Sequence, residues 1–196
     1  MIQLSGKLKH IEMKNHTVEL YLAFSAVTLG AVLARLIPHV PNVAPIAALA
    51  LFSGIKIPNW KGFFIPLIAM FISDYFLGFH TTIPFVYGSF FLIGGIGYLL
   101  RKKASALNIG LGSLVGSTLF FLITNFGVWI TSSMYEKNVA GLLRSYTMGL
   151  PFFRNTVLGD IFYTAVFFLG YSSITLLFVL MLPSRRKTER HVGNTV

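Results

Sequence analysis

Apolar runs of about membrane-spanning length alternate along the chain with short segments that hold most of its charged residues. A bilayer core about 30 Å thick needs roughly 20 apolar residues in a helix. The pattern therefore predicts a bundle of six transmembrane helices, the second of them barely long enough to span and so either tilted, broken or re-entrant. The predicted helices cover residues 18–36, 43–57, 62–78, 84–100, 107–132 and 156–182.

The composition supports this all-α integral membrane class. Hydrophobic residues make up 55% of the chain and charged residues only 11%, whereas soluble domains carry roughly 25% charged residues. We predict one transmembrane domain over 1–196, with a cytoplasmic N-terminal segment, 1–17, and a basic cytoplasmic tail, 183–196. The absence of cysteine removes disulfides and thiolate sites.

Lysine and arginine predict the orientation of the bundle. With the N-terminus inside, most of the 16 basic residues fall on the inner side, as the positive-inside rule requires, so both termini are expected in the cytoplasm. The basic residues form no face or stripe, which argues against a nucleic-acid partner. The first apolar run lacks an A-x-A cleavage site and is followed at once by Arg35, so we expect a retained helix.

One predicted connection is long. Residues 133–155 contain the partly amphipathic stretch "NVAGLLRSYTMGLPFF". Such a stretch either lies on the outer membrane surface as a short helix or covers a site beneath it as a lid, centred on residues 144–153.

Nearly every polar residue within the predicted helices falls in the outer half of the bundle. Ionisable groups there cost about 2.5–3.5 kcal/mol each on insertion scales, so they should face the bundle interior and find partners. Asp74 is expected roughly 6 Å inside its helix end, and Asp160 about one turn into the sixth helix. Four charged residues there can neutralise each other, and they serve either as clamps between helix ends or as braces of a pocket. They are Arg35, Asp74, Arg154 and Asp160.

Uncharged polar and aromatic residues converge on the same outer end. Their combination is typical of an outward-facing pocket, although each loop histidine alone is as easily explained by solvation. The candidate substrate-binding residues are His39, Asn42, His80, Tyr87, Asn125 and Trp129.

A small-residue face follows the first helix. Ala26, Gly30 and Ala34 recur at a spacing of four, which lets helices approach closely. The pattern indicates either packing inside the bundle or a docking face for another membrane protein.

The motifs of several enzyme classes are missing. The chain has no P-loop, no H-E-x-x-H and no G-x-S-x-G motif, so we predict a non-enzyme without a cofactor or resident metal. An enzyme using Asp74 or Asp160 with a histidine as acid and base is the weakest alternative.

Four segments carry a resemblance. "RLIPHVPNVAPIAALALFSG", "PLIAMFISDYFLGFHTTIPFVYGSF", "LITNFGVWI" and "GLPFFRNTVLGDIFYTAVFF" resemble a family of uncharacterised bacterial inner-membrane proteins. That family is more loosely similar to the S components, the substrate-binding subunits of energy-coupling-factor vitamin transporters.

The resemblance implies a multi-pass protein of the bacterial inner membrane that binds a vitamin or related small molecule near the outer surface. It implies docking on a separate energising membrane subunit with ATPases through Ala26, Gly30 and Ala34, or action alone, as in the solitary vitamin B12 transporter type. For a cobalamin, His80 or His39 would be the cobalt ligand, because no cysteine is available.

The function expected is therefore solute uptake, with a small-molecule substrate and the lipid bilayer as partners. A scaffold of a cell-envelope assembly, with no small-molecule ligand, is the alternative. A ligand-dependent change in thermal stability separates the two.

Overall fold

The computed structural model describes residues 24–38, 40–57 and 59–181, which form six α-helices and two 3₁₀ turns. The sequence prediction of an all-α protein is confirmed. In chain order the helices are α1 (Phe24–Leu36), α2 (Ile46–Lys56), α3 (Phe64–Leu77), α4 (Ile83–Leu100), α5 (Ala106–Thr131) and α6 (Val139–Met181), and the 3₁₀ turns are Trp60–Phe63 and Arg101–Lys103.

Four segments are long and apolar enough to cross a bilayer, which makes the protein a multi-pass membrane protein. The first three begin and end within a few residues of the predicted third, fourth and fifth helices. The fourth corresponds to the predicted sixth helix and is longer than predicted. The predicted first helix begins at residue 18, outside the described residues. The candidate spans are Trp60–Leu77, Ile83–Lys103, Ala106–Thr131 and Val139–Leu177.

The second helix differs from the prediction. With 11 residues, α2 is about 16 Å long, too short to cross a bilayer core. Its side chains from Ile46 to Ile55 are buried on every side of the helix, as expected for a helix that is apolar all round. The apolar run at residues 43–57 thus forms a buried core helix and not a membrane-spanning one.

Prolines explain why α2 starts so late. Pro38, Pro41 and Pro45 occupy the α1–α2 connection, and a proline inside a helix removes a hydrogen bond and clashes with the preceding turn. Asn42 has a φ of 65°, a left-handed conformation that asparagine tolerates better than most residues. The chain therefore reaches the centre of the bundle as an irregular loop and becomes helical only at Ile46.

The sixth helix corrects a second prediction. The expected surface loop over 133–155 is mostly helix, because α6 begins at Val139 and continues through Pro151 for 43 residues. Its first turns pack along α5: the Ser145 hydroxyl donates to the Asn125 carbonyl at 2.8 Å, and the Tyr146 hydroxyl donates to the Leu122 carbonyl at 3.0 Å. This segment is a wall of the bundle rather than a lid over it.

Glycines bring α2 and α4 into backbone contact. A Cβ added at Gly97 would lie 2.4 Å from the Leu51 carbonyl oxygen, and one at Gly54 would lie 2.2 Å from the Gly94 carbonyl oxygen. Below this crossing, Phe52 contacts the rings of Phe24 and Phe168 at centroid distances of 5.2 Å and 5.0 Å. The C-terminal half of α2 is thus closely packed against its neighbours.

Candidate functional site

A cavity of about 550 Å³ lies beyond the N-terminal end of α2. It exists because α2 begins only near the middle of the bundle. The neighbouring helices extend further, to the end of the bundle that carries the 37–45 loop and the 78–82 turn. We call this end the cavity end. All six helices or their adjoining loops contribute to the lining: Arg35, Leu36, Ile37, Pro38, Asn42, Ala44, Ile46, Ala47, Met70, Leu77, His80, Val86, Phe90, Phe120, Thr156 and Asp160.

A second cavity of about 350 Å³ adjoins the first and reaches between α5 and the first turns of α6. Asn125 lines this second cavity, as do Ser145, Met148 and Phe152 from the segment predicted to be a loop. The two cavities share part of their lining. The residues that line both are Asn42, Val86, Phe120 and Thr156.

Arg35 and Asp74 form a buried ion pair at the wall of the larger cavity. Arg35 Nη1 lies 2.7 Å from Asp74 Oδ1, and the side chains are 16% and 1% exposed. Arg35 also donates to the Ser73 hydroxyl, which in turn donates to the Ala69 carbonyl at 2.9 Å. The Tyr87 hydroxyl donates to Asp74 Oδ2 at 2.9 Å. Arg35 thus has an acid partner from another helix, α3.

Asp160 lies deeper than predicted and has a different partner. Because α6 starts at Val139, Asp160 is about 32 Å from the first residue of its helix rather than one turn in. Its side chain is 3% exposed, and the Ser117 hydroxyl donates to its Oδ2 at 2.6 Å. No ion pair joins Asp160 to Arg154, whose side chain is exposed.

His80 and Asn42 occupy the mouth of the larger cavity. Both are exposed and line it, and His80 Nδ1 lies 2.8 Å from the Thr82 hydroxyl. Asn155, one turn before Gly159 on α6, donates to the Pro41 carbonyl at 3.2 Å and fastens the loop that carries Asn42. Asn42 and His80 thus line the same cavity.

Two predicted substrate-binding residues do not line either cavity. The Trp129 indole donates to the Glu136 carbonyl at 2.9 Å and so fastens the α5–α6 connection. Tyr87 lies behind the wall, where its hydroxyl binds Asp74. The sixth candidate, His39, lies outside the described residues.

Comparison with protein families gives one match, over residues 15–181, to a family of unknown function, DUF6580. The chain belongs to DUF6580. No curated protein and no solved structure matches the chain significantly. The family match spans all six helices of the described structure, so the cavity is built entirely from the shared DUF6580 region.

The small-residue face of this DUF6580 chain is turned outward. Ala26 and Gly30 are exposed, and a Cβ added at Gly30 meets nothing within 4 Å. Ala34 is half-buried, while Ala31 and Val32 contact the core from the opposite side of α1. Within the described chain, Ala26 and Gly30 are therefore not packing positions of the bundle.

Sequence reasoning missed the apolar walls of the cavity and the partner of Asp160. Phe90 and Phe120 stack with their ring centroids 5.2 Å apart and form one wall, yet nothing in the pattern sets them apart from lipid-facing aromatics. Ser113 and Ser117, one turn apart and next to Gly112 and Gly116 on α5, were a usable signal. Paired serines beside glycines indicate a helix face that meets another helix.

Metal chemistry finds no support in the described ranges, where no group of three or more histidine or acidic residues is placed to hold a metal ion. The polar groups of the cavity are few and its remaining walls are apolar or aromatic. That combination is the usual make-up of a small-molecule binding site.

Proposed function

We propose that the protein binds a small-molecule solute in the cavity and takes part in its uptake across the membrane. The observation that carries this proposal is the cavity of about 550 Å³ lined from all six helices. Sites for small ligands are typically about 300–1,000 Å³, mostly apolar, with a few placed polar groups. A bundle that served only as a scaffold would have no need to keep such a space open against close packing.

The distribution of basic residues supports an outward-facing opening. In the described chain, the two connections at the end opposite the cavity are rich in lysine and arginine, which the positive-inside rule assigns to the cytoplasm. The cavity end would then face outward, where an uptake protein meets its solute. The basic residues of those connections are Lys56, Lys61, Arg101, Lys102 and Lys103.

The resemblance to S components supports the same function and suggests how it is energised. An S-component-like protein docks on a separate membrane subunit driven by ATPases, and the exposed Ala26 and Gly30 face of α1 offers such a surface. The cavity volume favours a compact vitamin-like solute over a whole cobalamin, which is much larger than the ligands that cavities of this size enclose. A cobalt-ligand role for His80 remains a prediction.

The proposal is tested by a thermal-shift screen of the detergent-solubilised protein against vitamins and cofactors, cobalamins included. A ligand at one hundred times its dissociation constant adds about 2.7 kcal/mol to the free energy of unfolding. Val86→Phe should abolish the shift, because Val86 lines both cavities. Leu92→Phe is the matched control, since Leu92 is on the same helix but exposed.

Asn42 allows a sharper test of the opening. Asn42→Gly removes the side chain and keeps the left-handed backbone, whereas Asn42→Ala also adds a steric cost at φ 65°. Equal loss of solute binding in both variants would assign binding to the amide side chain. Loss in the alanine variant alone would assign it to the shape of the loop.

The scaffold alternative rests on the outward face of α1. It predicts a folded protein that gives no shift with any solute and co-purifies with a partner through Ala26 and Gly30. Gly30→Leu would break that association without affecting the cavity, because nothing lies within 4 Å of a Cβ at Gly30.

A further inference from the structure

We propose, building on the solute-uptake function above, that the solute carries a positively charged nitrogen and that Asp160 is the group that binds it. Asp160 lines the larger cavity near the middle of α6 and comes from a different helix than the ion pair at the cavity wall. The chemical class expected is therefore an organic cation, such as a protonated amine, with an apolar remainder.

The two oxygens of Asp160 have different surroundings. Oδ2 accepts the hydrogen bond from Ser117 at 2.6 Å. Oδ1 has no hydrogen-bond partner among the described residues, and the protein does not fully enclose this oxygen. The residue as a whole is 3% exposed and borders the cavity. Oδ1 is therefore the atom left available to a molecule inside the cavity.

The charges around the cavity leave Asp160 without a counter-ion in the described chain. Arg35 lines the same cavity, but its charge is matched by Asp74 at 2.7 Å. His80 lies at the exposed mouth and is hydrogen-bonded to Thr82. Arg154 is exposed on the outside of α6, and neither α4 nor α5 contains a charged residue. Together with Asp74, which pairs with Arg35 but does not itself line the cavity, the described surroundings hold two carboxylates and one arginine.

The N-terminal turn of α2 also borders the cavity and adds a partial positive charge. Its first residues, Ile46 and Ala47, line the cavity, and Pro45 provides no side-chain cap. A helix N-terminus is equivalent to roughly half an elementary charge. No hydrogen bond joins Asp160 to these backbone groups within the described residues. The helix end therefore offsets only part of the carboxylate charge, and a bound cation could neutralise the rest.

An unpaired carboxylate at this depth is expensive unless something neutralises it, and acids within membranes accordingly mark ligand or ion pathways. A bound ammonium group would donate to Oδ1 while Ser117 continues to donate to Oδ2. The stacked Phe90 and Phe120 rings would contact the apolar part of the same molecule. This arrangement gives both Asp160 oxygens a partner, whereas the described residues alone provide one for Oδ2.

Three small probes of similar size and different charge test the proposal: benzylamine, benzyl alcohol and benzoate. Each is titrated into the purified protein in detergent at neutral pH and low salt, and the apparent dissociation constant is read from the thermal shift. We expect benzylamine to bind about tenfold or more tightly than benzyl alcohol, because hydrogen bonds to charged groups are the strong ones. Benzoate should bind most weakly.

Asp160→Asn should remove the preference for benzylamine over benzyl alcohol while keeping the Ser117 hydrogen bond. Thr164→Val is the control, since Thr164 lies one turn further along α6, is buried against Ser113 and does not line the cavity. It should leave the preference unchanged. If Asp160→Asn does not fold, the order of the three probes on the wild-type protein still decides.

A preference for benzoate, equal binding of all three probes, or a benzylamine preference that survives in Asp160→Asn would overturn the proposal. No binding of any probe would overturn it as well. In each of these cases the solute-binding function is tested separately, by the vitamin and cofactor screen with the Val86→Phe variant and its Leu92→Phe control.

Discussion

The two buried acids of the bundle, Asp74 and Asp160, are held in opposite ways. Asp74 is 1% exposed and has a counter-ion, Arg35, and a hydrogen-bond donor, Tyr87. Asp160 is 3% exposed and borders a cavity, and its one side-chain partner in the described part of the chain is the Ser117 hydroxyl. A buried charge that lacks its partner is strongly destabilising, whereas a charge beside an open cavity can be matched by whatever enters it.

The difference separates a structural role from a binding role. The Arg35–Asp74–Tyr87 cluster joins α1, α3 and α4 at the cavity end, with Arg35 in ion contact with Asp74 Oδ1 and Tyr87 donating to Oδ2. Asp160 joins α5 and α6 through one hydrogen bond and is incomplete. Breaking the Asp74 cluster should therefore lower stability more than changing Asp160 does. Changing Asp160 should lower ligand binding more than it lowers stability.

The largest effect is expected for Arg35→Met. It leaves Asp74 buried without a counter-ion, so the free energy of unfolding should fall by about 3–5 kcal/mol. Thermal unfolding in detergent measures the loss. The double variant Arg35→Met with Asp74→Asn should regain most of it, and Arg154→Met, at an exposed arginine, should change stability by less than about 0.5 kcal/mol. An Arg35→Met variant with unchanged stability would contradict the distinction drawn between the two acids.

Tyr87→Phe should have the next largest effect. It removes the donor 2.9 Å from Asp74 Oδ2, and side-chain hydrogen bonds within membrane bundles contribute about 0.6 kcal/mol on average and about 1.7 at most. The same unfolding measurement applies. Tyr163→Phe is the control, because the Tyr163 hydroxyl makes no hydrogen bond in the described structure and its ring packs on Phe162 and Phe167.

Ser117→Ala should cost less than Tyr87→Phe. It removes the donor to Asp160 Oδ2, but the carboxylate borders a cavity, where water or a solute can replace that donor. We expect a loss of about 0.6 kcal/mol or less. A loss as large as that of Arg35→Met would show that Ser117 holds the α5–α6 interface itself.

Asp160→Asn should have the smallest effect on stability and the largest on binding. No cation in the described chain is stranded, the amide oxygen still accepts from Ser117, and an unpaired buried charge is removed, so the free energy of unfolding should stay the same or rise slightly. Unfolding in detergent and benzylamine binding, measured on the same preparation, test both halves. A loss of several kcal/mol would mean that a protein cation pairs with Asp160 from outside the described residues.

Much of the fold was predictable from apolar run lengths, and the exceptions have physical causes. Residues 43–57 and 139–155 were misjudged because hydropathy measures compatibility with lipid, not what surrounds a segment. A buried core helix such as α2 is as apolar as a spanning one. The start of α6 mixes Ser145, Tyr146 and Arg144 with apolar residues, and only its packing on α5 gives those hydroxyls their acceptors.

The candidate site was predictable in location but not in detail. Sorting polar residues by depth placed Arg35, Asn42, His80 and Asp160 at one end, and all four line one cavity. Trp129 has a partner in its own loop, and Arg154 points away from the bundle. Which way a helical residue faces depends on the rotation of its helix, which the neighbouring helices determine.

The sequence by itself determined that the protein is helical, multi-pass and charged mainly outside its apolar runs, because the cost of placing a residue in lipid depends on its own chemistry. Three prolines determined that α2 starts late, since their rings prevent helix. Only the tertiary structure decided that this late start opens a cavity, that Asp74 has a counter-ion and that Asp160 has none among the described residues. Those outcomes depend on which side chains from distant segments come within a few ångströms of each other, and run lengths and composition contain no such distances.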